Sequence, residues 1–488
     1  MYTASETSTI ALVVLAACAI LGWRFYRAKS LGKLGILTWL QSVVLIAPWL
    51  LFFGLFAAGI YINLVGILFL VVASTAAYIL INNRLRIQTQ QTKPNLTPPT
   101  PTVETIAASK LEQTPQQTVV PIPSEDMVAI RGIFSIDTYF AVEIIPYQEG
   151  VIVKGNLRGE PETVHKKLTA NLQEKLSDHY RLFLVENVDS RPVVIILPSR
   201  ADVQQVTVSQ YILAVGLIVA TIATIFETAG ILLGFDFFTH LERFLEVLPI
   251  GIGIIVVLAS HELAHYLLAR RYQVKLSPPF FLPTLQLGSF GAITRFASLV
   301  PHRQALFDIA FAGPAAGGLI SLLLLIIGLL LSHPGSLFQI PTEFFQGSIL
   351  VGTLARVIIG ADLHNSLVDV NPLTVIGWLG LVITALNLMP AGILDGGRIV
   401  QAIYGRKTAG RATIATLIIL AVASLANPVA MYWAIAILFL QRELERPSLN
   451  EITEPDDARA ALGLLALLIM ICVLLPLTPA LAGRLGIG

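Results

Sequence analysis

Charge is what this sequence has least of. Of its 488 residues only 13% are Asp, Glu, Lys or Arg, while 55% are hydrophobic; ordinary soluble domains carry about 25% charged residues. That balance excludes a conventional soluble globule and points to a chain that crosses a bilayer repeatedly. Lys and Arg together number 32 against 31 for Asp and Glu, a formal net charge of +1, so there is no case for nucleic acid as a partner. Cysteine is nearly missing. Cys18 and Cys472 sit in apolar runs far apart, which excludes a disulfide framework and a Cys-type zinc site alike. The N-terminus has no basic residue ahead of its first apolar run, the early charge being Glu6. It therefore does not read as a cleaved signal peptide, and no Arg- and Ser-rich transit segment precedes it.

Long apolar runs are what the chain does have. Residues 10–23 form the first, followed by Arg24, Arg27, Lys29 and Lys33, which predicts a retained span with its N-terminus outside and the basic loop in the cytoplasm. Runs at about 36–57 and 60–81 come next, then others near 207–234, 248–269, 304–331, 373–403, 411–426, 428–441 and 459–479. The two either side of Asn427-Pro428 are short, and read as tilted spans or as a hairpin that does not fully cross. The expectation is a polytopic α-helical membrane protein of about ten spans with a small α/β soluble domain inserted before its second group of spans. Arg270, Arg271, Lys275, Arg406, Lys407 and Arg411 follow alternate spans, while the opposite loops carry Asp236, Glu242, Glu246, Glu343, Asp362 and Asp369. This alternation puts the inserted domain and the basic helix ends on the cytoplasmic side.

The division expected is 1–83, a three-span region; 84–125, a linker; 126–205, the small domain; 206–445, the membrane core; and 446–488, a linker with the final span. The linker is rich in Thr, Gln and Pro, including Thr97-Pro98-Pro99-Thr100-Pro101, and has no apolar periodicity with which to build a core. In the small domain, strands are predicted at 140–145, 151–153, 180–188 and 193–197, with an amphipathic helix over 161–176. His165 and His179 lack a metal-like spacing.

The run 248–268 is long enough to span a bilayer, yet it contains His261-Glu262-Leu263-Ala264-His265. Side chains at i and i+4 share a helix face, so His261 and His265 can offer two imidazoles to one zinc ion, with Glu262 placed as a base toward a water on that ion. Ionisable groups at membrane depth are costly and mark function by default; the bland alternative is a pair of satisfied core histidines with a chance Glu. A catalytic zinc site wants a third protein ligand. The candidate is Asp395, which follows a Pro- and Gly-broken stretch, Asn387-Leu388-Met389-Pro390-Ala391-Gly392, where freed backbone can line a cavity. The alternative there is a helix-end ion pair between Asp395 and Arg398. Residues 276–300, with Pro278-Pro279 and Leu287-Gly288-Ser289-Phe290-Gly291, are too irregular for a span. They read as a re-entrant loop or β-hairpin able to pair with an extended peptide, or else as an ordinary cytoplasmic loop.

His-Glu-Leu-Ala-His in one span, with Asn387, Pro390, Asp395 and Gly396 in a later one, resembles the site-two protease family of intramembrane zinc metalloproteases. Phe311-Ala312-Gly313-Pro314-Ala315-Ala316 looks like that family's Gly-Pro element, although Gly317-Gly318 stands where the family often has Asn. Gly155-Asn156-Leu157-Arg158 ahead of these is similar to the plant and cyanobacterial branch named ethylene-dependent gravitropism-deficient and yellow-green. No PDZ domain is evident between the two catalytic motifs. The resemblance implies one Zn2+ per chain held by His261, His265 and Asp395, with Glu262 as general base and Asn387 holding the peptide or its oxyanion. It implies hydrolysis of peptide bonds in or near membrane-spanning segments of substrate proteins in the lipid bilayer, with the 126–205 domain as a place for a protein partner. The missing transit segment favours a bacterial protein over an organelle-imported one and the charge alternation a multi-pass one with its active site towards the cytoplasm; the resemblance adds a cyanobacterial plasma or thylakoid membrane. Rival readings are a membrane transporter using His and Asp as a cation path, and an inactive relative acting as scaffold or chaperone. A prenyl-protein endopeptidase would use a Glu as third ligand, where this chain supplies Asp.

Overall fold

The computed structural model describes parts of 21–57 together with 74 and 81, and from 122 to 483 all residues except 148, 188–190, 203–205, 286, 426–427, 439–442, 479 and 481. Most of the expected runs at 10–23 and 60–81 and nearly all of the linker lie outside the described residues. The chain divides into two units, 1–116 and 117–488. In the first, α1 (Gly32–Ala57) is a 26-residue helix, about 39 Å long at 1.5 Å per residue.

The second unit opens with α2 (Ser124–Arg131), which begins inside the stretch expected to be linker; Glu125 and Asp126 lie in its first turn, where acidic side chains favour a helix start. The small domain follows as β1 (Tyr139–Tyr147), β2 (Gly150–Leu157), α3 (Pro161–Leu176), β3 (Tyr180–Glu186) and β4 (Pro192–Pro198), close to where the periodicity puts them. The sheet order is β1-β2-β4-β3, with antiparallel neighbours throughout. α3 buries Val164, Leu168 and Leu172, one face at four-residue spacing, against Val151, Val153, Leu182, Leu184, Val194 and Ile196. The Tyr139 hydroxyl donates to the Val153 and Pro192 carbonyls, and burial pushes its phenol up to about 12.

The membrane core runs α4 (Val208–Leu232), α5 (Phe244–Arg271), β5 (Phe280–Thr284), β6 (Gly288–Ile293), α6 (Arg303–Leu330), β7 (Phe338–Pro341), α7 (Ile349–Ile358), β8 (Leu367–Val370), α8 (Pro372–Asn387), α9 (Asp395–Ala423), α10 (Pro428–Ala436) and α11 (Asp457–Leu474). Residues 276–300 therefore hold a β-hairpin, β5 paired antiparallel to β6. It leans on α4, where the hydroxyls of Thr224 and Thr228 donate to the carbonyls of Gly288 and Leu285. Those bonds satisfy irregular backbone at a depth where water is scarce.

Among the described residues four helices are long and apolar enough to cross a bilayer: α4, α5 with the turn ahead of it, α6 and α11. The expected count of about ten is not supported. The run 373–403 is no single span, because the chain leaves helical form between Asn387 and Asp395, around Pro390. α8 has 16 residues, about 24 Å of helix. α9 merges the end of that run with the next one across a kink at Gly405; it carries Asp395, Arg398, Arg406, Lys407 and Arg411. α10 has nine residues. The amphipathic α7, and the antiparallel pair β7 and β8 that flanks it, carry no apolar run long enough for a span and lie outside the expected elements.

Two features fix the core around the site. α6 and α8 approach closely because Gly328 and Gly377 carry no side chain: a Cβ on Gly377 would lie 2.6 Å from the Ser321 carbonyl oxygen. Small residues at such crossings are how membrane helices pack without a hydrophobic drive. A strap over 445–452 then ties the small domain to the core. Leu184 of β3 exchanges backbone bonds with Leu449 and Glu451 (2.8 and 2.9 Å), while Leu449 and Asn450 donate to the carbonyls of Val300 and Pro301.

Candidate metal centre

α5 presents His261 and His265 on one face, both buried, and α9 begins with Asp395, also buried. The Nε2 atoms of the two histidines are 3.1 Å apart. Asp395 Oδ2 lies 3.1 Å from His261 Nε2 and 3.3 Å from His265 Nε2. Three potential donors thus form a nearly equilateral triangle, and its size tests the fit to a metal. Zinc binds imidazole nitrogen at about 2.0 Å in tetrahedral geometry, for which neighbouring ligands lie about 3.3 Å apart. The donor set therefore suits zinc, two neutral nitrogens and one carboxylate leaving room for a fourth position. His265 Nδ1 meets the Ile309 carbonyl at 2.7 Å; a proton there leaves Nε2 with its lone pair toward the triangle.

Glu262 offers a carboxylate oxygen within 4.8 Å of a ring nitrogen of each histidine, against 3.1–3.3 Å for Asp395, so Asp395 is the better third donor and Glu262 is left beside the triangle. Glu262 Oε2 accepts from Thr294 Oγ1 at 2.7 Å. Arg398 Nη1 is 3.9 Å from Asp395 Oδ1, whereas its Nε and Nη2 reach Glu445 Oε2 at 3.0 and 2.9 Å. The helix-end pairing of Asp395 with Arg398 is thus secondary to Arg398's bond with Glu445.

Asn387, at the end of α8, donates through Nδ2 to the carbonyls of Phe290 (3.1 Å) and Ile383 (2.9 Å). Both partners are acceptors, which fixes the amide orientation and engages both of its N–H bonds. Asn387 therefore clamps the hairpin to α8. Gly291 makes that clamp possible: its φ is +98°, and a Cβ there would lie 2.4 Å from Asn387 Nδ2.

α6 forms the wall behind the histidines. A Cβ on Gly313 would fall 2.2 Å from His265 Nε2, and one on Gly317 would fall 3.2 Å from His261 Nδ1. Gly317 packs against an imidazole, so a larger residue there would displace it. Gly313→Ala is expected to push the His265 ring out of the triangle and weaken zinc binding by about 10–100-fold. Gly318→Ala, whose Cβ meets only Thr384 Cγ2 at 3.4 Å, is the matched control with the same change of helix propensity. A chelator-competition titration of both variants checks this, and equal affinities would remove the steric argument.

The structure brings His261, Glu262, His265 and Asp395 together and sets Asn387 at the end of α8, bonded to the adjoining hairpin. Sequence reasoning missed Thr294, Glu445 and the Ile309 carbonyl. Thr294 and Glu445 carry no motif, and a backbone carbonyl leaves no sequence signal at all.

Comparison with known proteins agrees with this geometry. Residues 249–426 match Peptidase family M50, and residues 128–205 match the EGY3 middle domain. The Arabidopsis thaliana protein named probable zinc metalloprotease EGY2, chloroplastic, is 38% identical over 371 residues, covering 74% of this chain and 67% of the relative. The one named EGY1, from the same plant, is 36% identical over 404 residues, covering 75% and 74%. A rice protein named EGY3 is 33% identical over 379 residues, covering 72% and 64%. The chain spans about two thirds of the length of these curated relatives, and no solved structure matches it. With the peptidase match lying over the helices that carry His261 and Asp395, and with such identity over most of both chains, this chain belongs to peptidase family M50, in the company of the EGY zinc metalloproteases.

Proposed function

We propose that this chain is an intramembrane zinc metalloprotease that hydrolyses peptide bonds within or beside membrane-spanning segments of other proteins. The observation that carries the reading is the 3.1–3.3 Å triangle of His261, His265 and Asp395 donors, the histidines on a helix of spanning length and apolarity and Asp395 at the start of α9. These three side chains would hold one zinc. When bound, zinc acidifies water and polarises a carbonyl. Glu262 takes the proton of the attacking water and returns it to the leaving amide nitrogen. A helical substrate has its carbonyls satisfied and must open before attack. The β5–β6 hairpin would hold the opened segment as an added strand, with Asn387 keeping that hairpin at the depth of the site.

The histidines lie towards the end of α5 that carries Arg270 and Arg271, which supports a site near the cytoplasmic face of a multi-pass protein. The relatives are named chloroplastic; they lend nothing to a bacterial or cyanobacterial origin. The 126–205 domain, joined to the core by the strap, is where a protein partner would act. Transport is disfavoured because the three donors converge on one compact point instead of forming a path, and an inactive scaffold is disfavoured because the base stands beside the triangle.

The test is metal content. Detergent-purified chain is expected to carry about one zinc per chain, to lose cleavage of fluorescein-labelled casein on chelation, and to regain it when zinc returns. No zinc after metal is offered back would end the reading.

A further inference from the structure

We infer that Thr294, held by the Arg398–Glu445 pair, is a positioning residue that aims the Glu262 carboxylate. The inference rests on Glu262 being the base. Glu262 shares its helix face with Tyr266, which is exposed, as is its neighbour Leu263, so α5 itself does little to hold its side chain. Among the described residues the hydrogen bond to its carboxylate comes from the Thr294 hydroxyl, at 2.7 Å.

Thr294 follows β6 directly and is gripped from behind. Its carbonyl accepts from Arg398 Nη2 at 2.7 Å. Arg398 is buried, lies over the Phe296 ring at 4.7 Å, and is neutralised by Glu445 through two bonds to one carboxylate oxygen. A buried cation keeps its place only when so paired. The planar fork of Arg398 thus joins three elements: the first turn of α9, where Asp395 sits; the strap, through Glu445; and the end of the hairpin, through Thr294. Glu445 is itself anchored, its carbonyl accepting from Gln401 and Arg406. The hydroxyl that orients Glu262 is therefore tied to the helix that supplies Asp395, so base and metal donors keep one frame. Misplacing a reacting group by about 1 Å can cost about 10²-fold in rate.

The experiment uses the full chain in detergent, as wild type, Thr294→Val and Thr294→Ser. Metal content and thermal unfolding establish that each variant is folded and loaded. Turnover of fluorescein-labelled casein is then resolved into kcat and KM. Affinity for acetohydroxamate, a metal chelator that yields a proton to a neighbouring carboxylate, is read from the visible spectrum of cobalt-loaded protein. Thr294→Val, isosteric but without the hydroxyl, is expected to keep its metal and KM while kcat falls about 10–100-fold. It is expected to bind acetohydroxamate correspondingly more weakly, and Thr294→Ser to restore both to within about threefold. A merely structural role would not be rescued by serine, which lacks the methyl group but keeps the hydroxyl. The inference is overturned if the Val variant matches wild type, or if the Ser variant is as impaired as Val. If casein is cut by none of the three, the acetohydroxamate affinities decide alone, equal values overturning the inference. If wild type binds neither zinc nor cobalt, the protease reading fails first and takes this inference with it.

Discussion

Glu262→Gln is expected to retain about one zinc per chain while losing proteolysis by about 10²–10⁴-fold, the range that a positioned general base contributes. Gln keeps the shape of the side chain, and its amide oxygen can still accept from Thr294 Oγ1, so the change removes proton affinity and little else. The triangle of His261, His265 and Asp395 does not include Glu262, hence the retained metal. Zinc by elemental analysis beside casein cleavage, on the same preparation, separates the two effects. Proteolysis within tenfold of wild type would sink Glu262 as the base.

Asp395→Ala should have the opposite signature, with zinc and activity lost together. It removes the anionic donor of three and leaves two neutral imidazoles, too few for a catalytic zinc site. The surrounding fold should survive. Arg398, the cation nearest Asp395, keeps its two bonds to Glu445, so no buried charge is left unpaired. Elemental analysis after dialysis is expected to fall from about one zinc per chain to about a tenth or less, with thermal unfolding confirming that the variant is folded. Full occupancy in a folded variant would remove Asp395 from the ligand set and turn attention to Glu262, whose carboxylate is within 4.8 Å of the imidazoles.

The small domain was legible strand by strand because its strands are short β-branched and apolar runs bounded by turn residues and α3 repeats its apolar positions every four residues; such signals are local. α2 escaped because it is one short helix beside a Pro- and Thr-rich tract. The span count failed for a different reason. Hydropathy sees only apolar length, so it ran 373–403 together across Pro390 and Gly392, where the backbone in fact turns to bring Asp395 onto a helix start. The Gly-Pro element was recognisable, yet its physical meaning came only from the Gly313 position against His265 Nε2.

The sequence by itself determined the chemistry: two histidines at i and i+4 with a Glu between them, an Asp beyond a Pro-Gly break, and a bilayer-like composition around them. Those are properties of residue type and short-range spacing, which a linear reading can reach. The tertiary structure alone decided that Asp395, 134 residues from His261, comes within 3.1 Å of it. It decided as well that Asn387 grips the hairpin and that Thr294, Arg398 and Glu445 form a frame beside Glu262. These contacts join residues distant in the chain, through backbone carbonyls and unremarkable side chains. Helix packing, which depends on where small residues let backbones meet, is what brings them together.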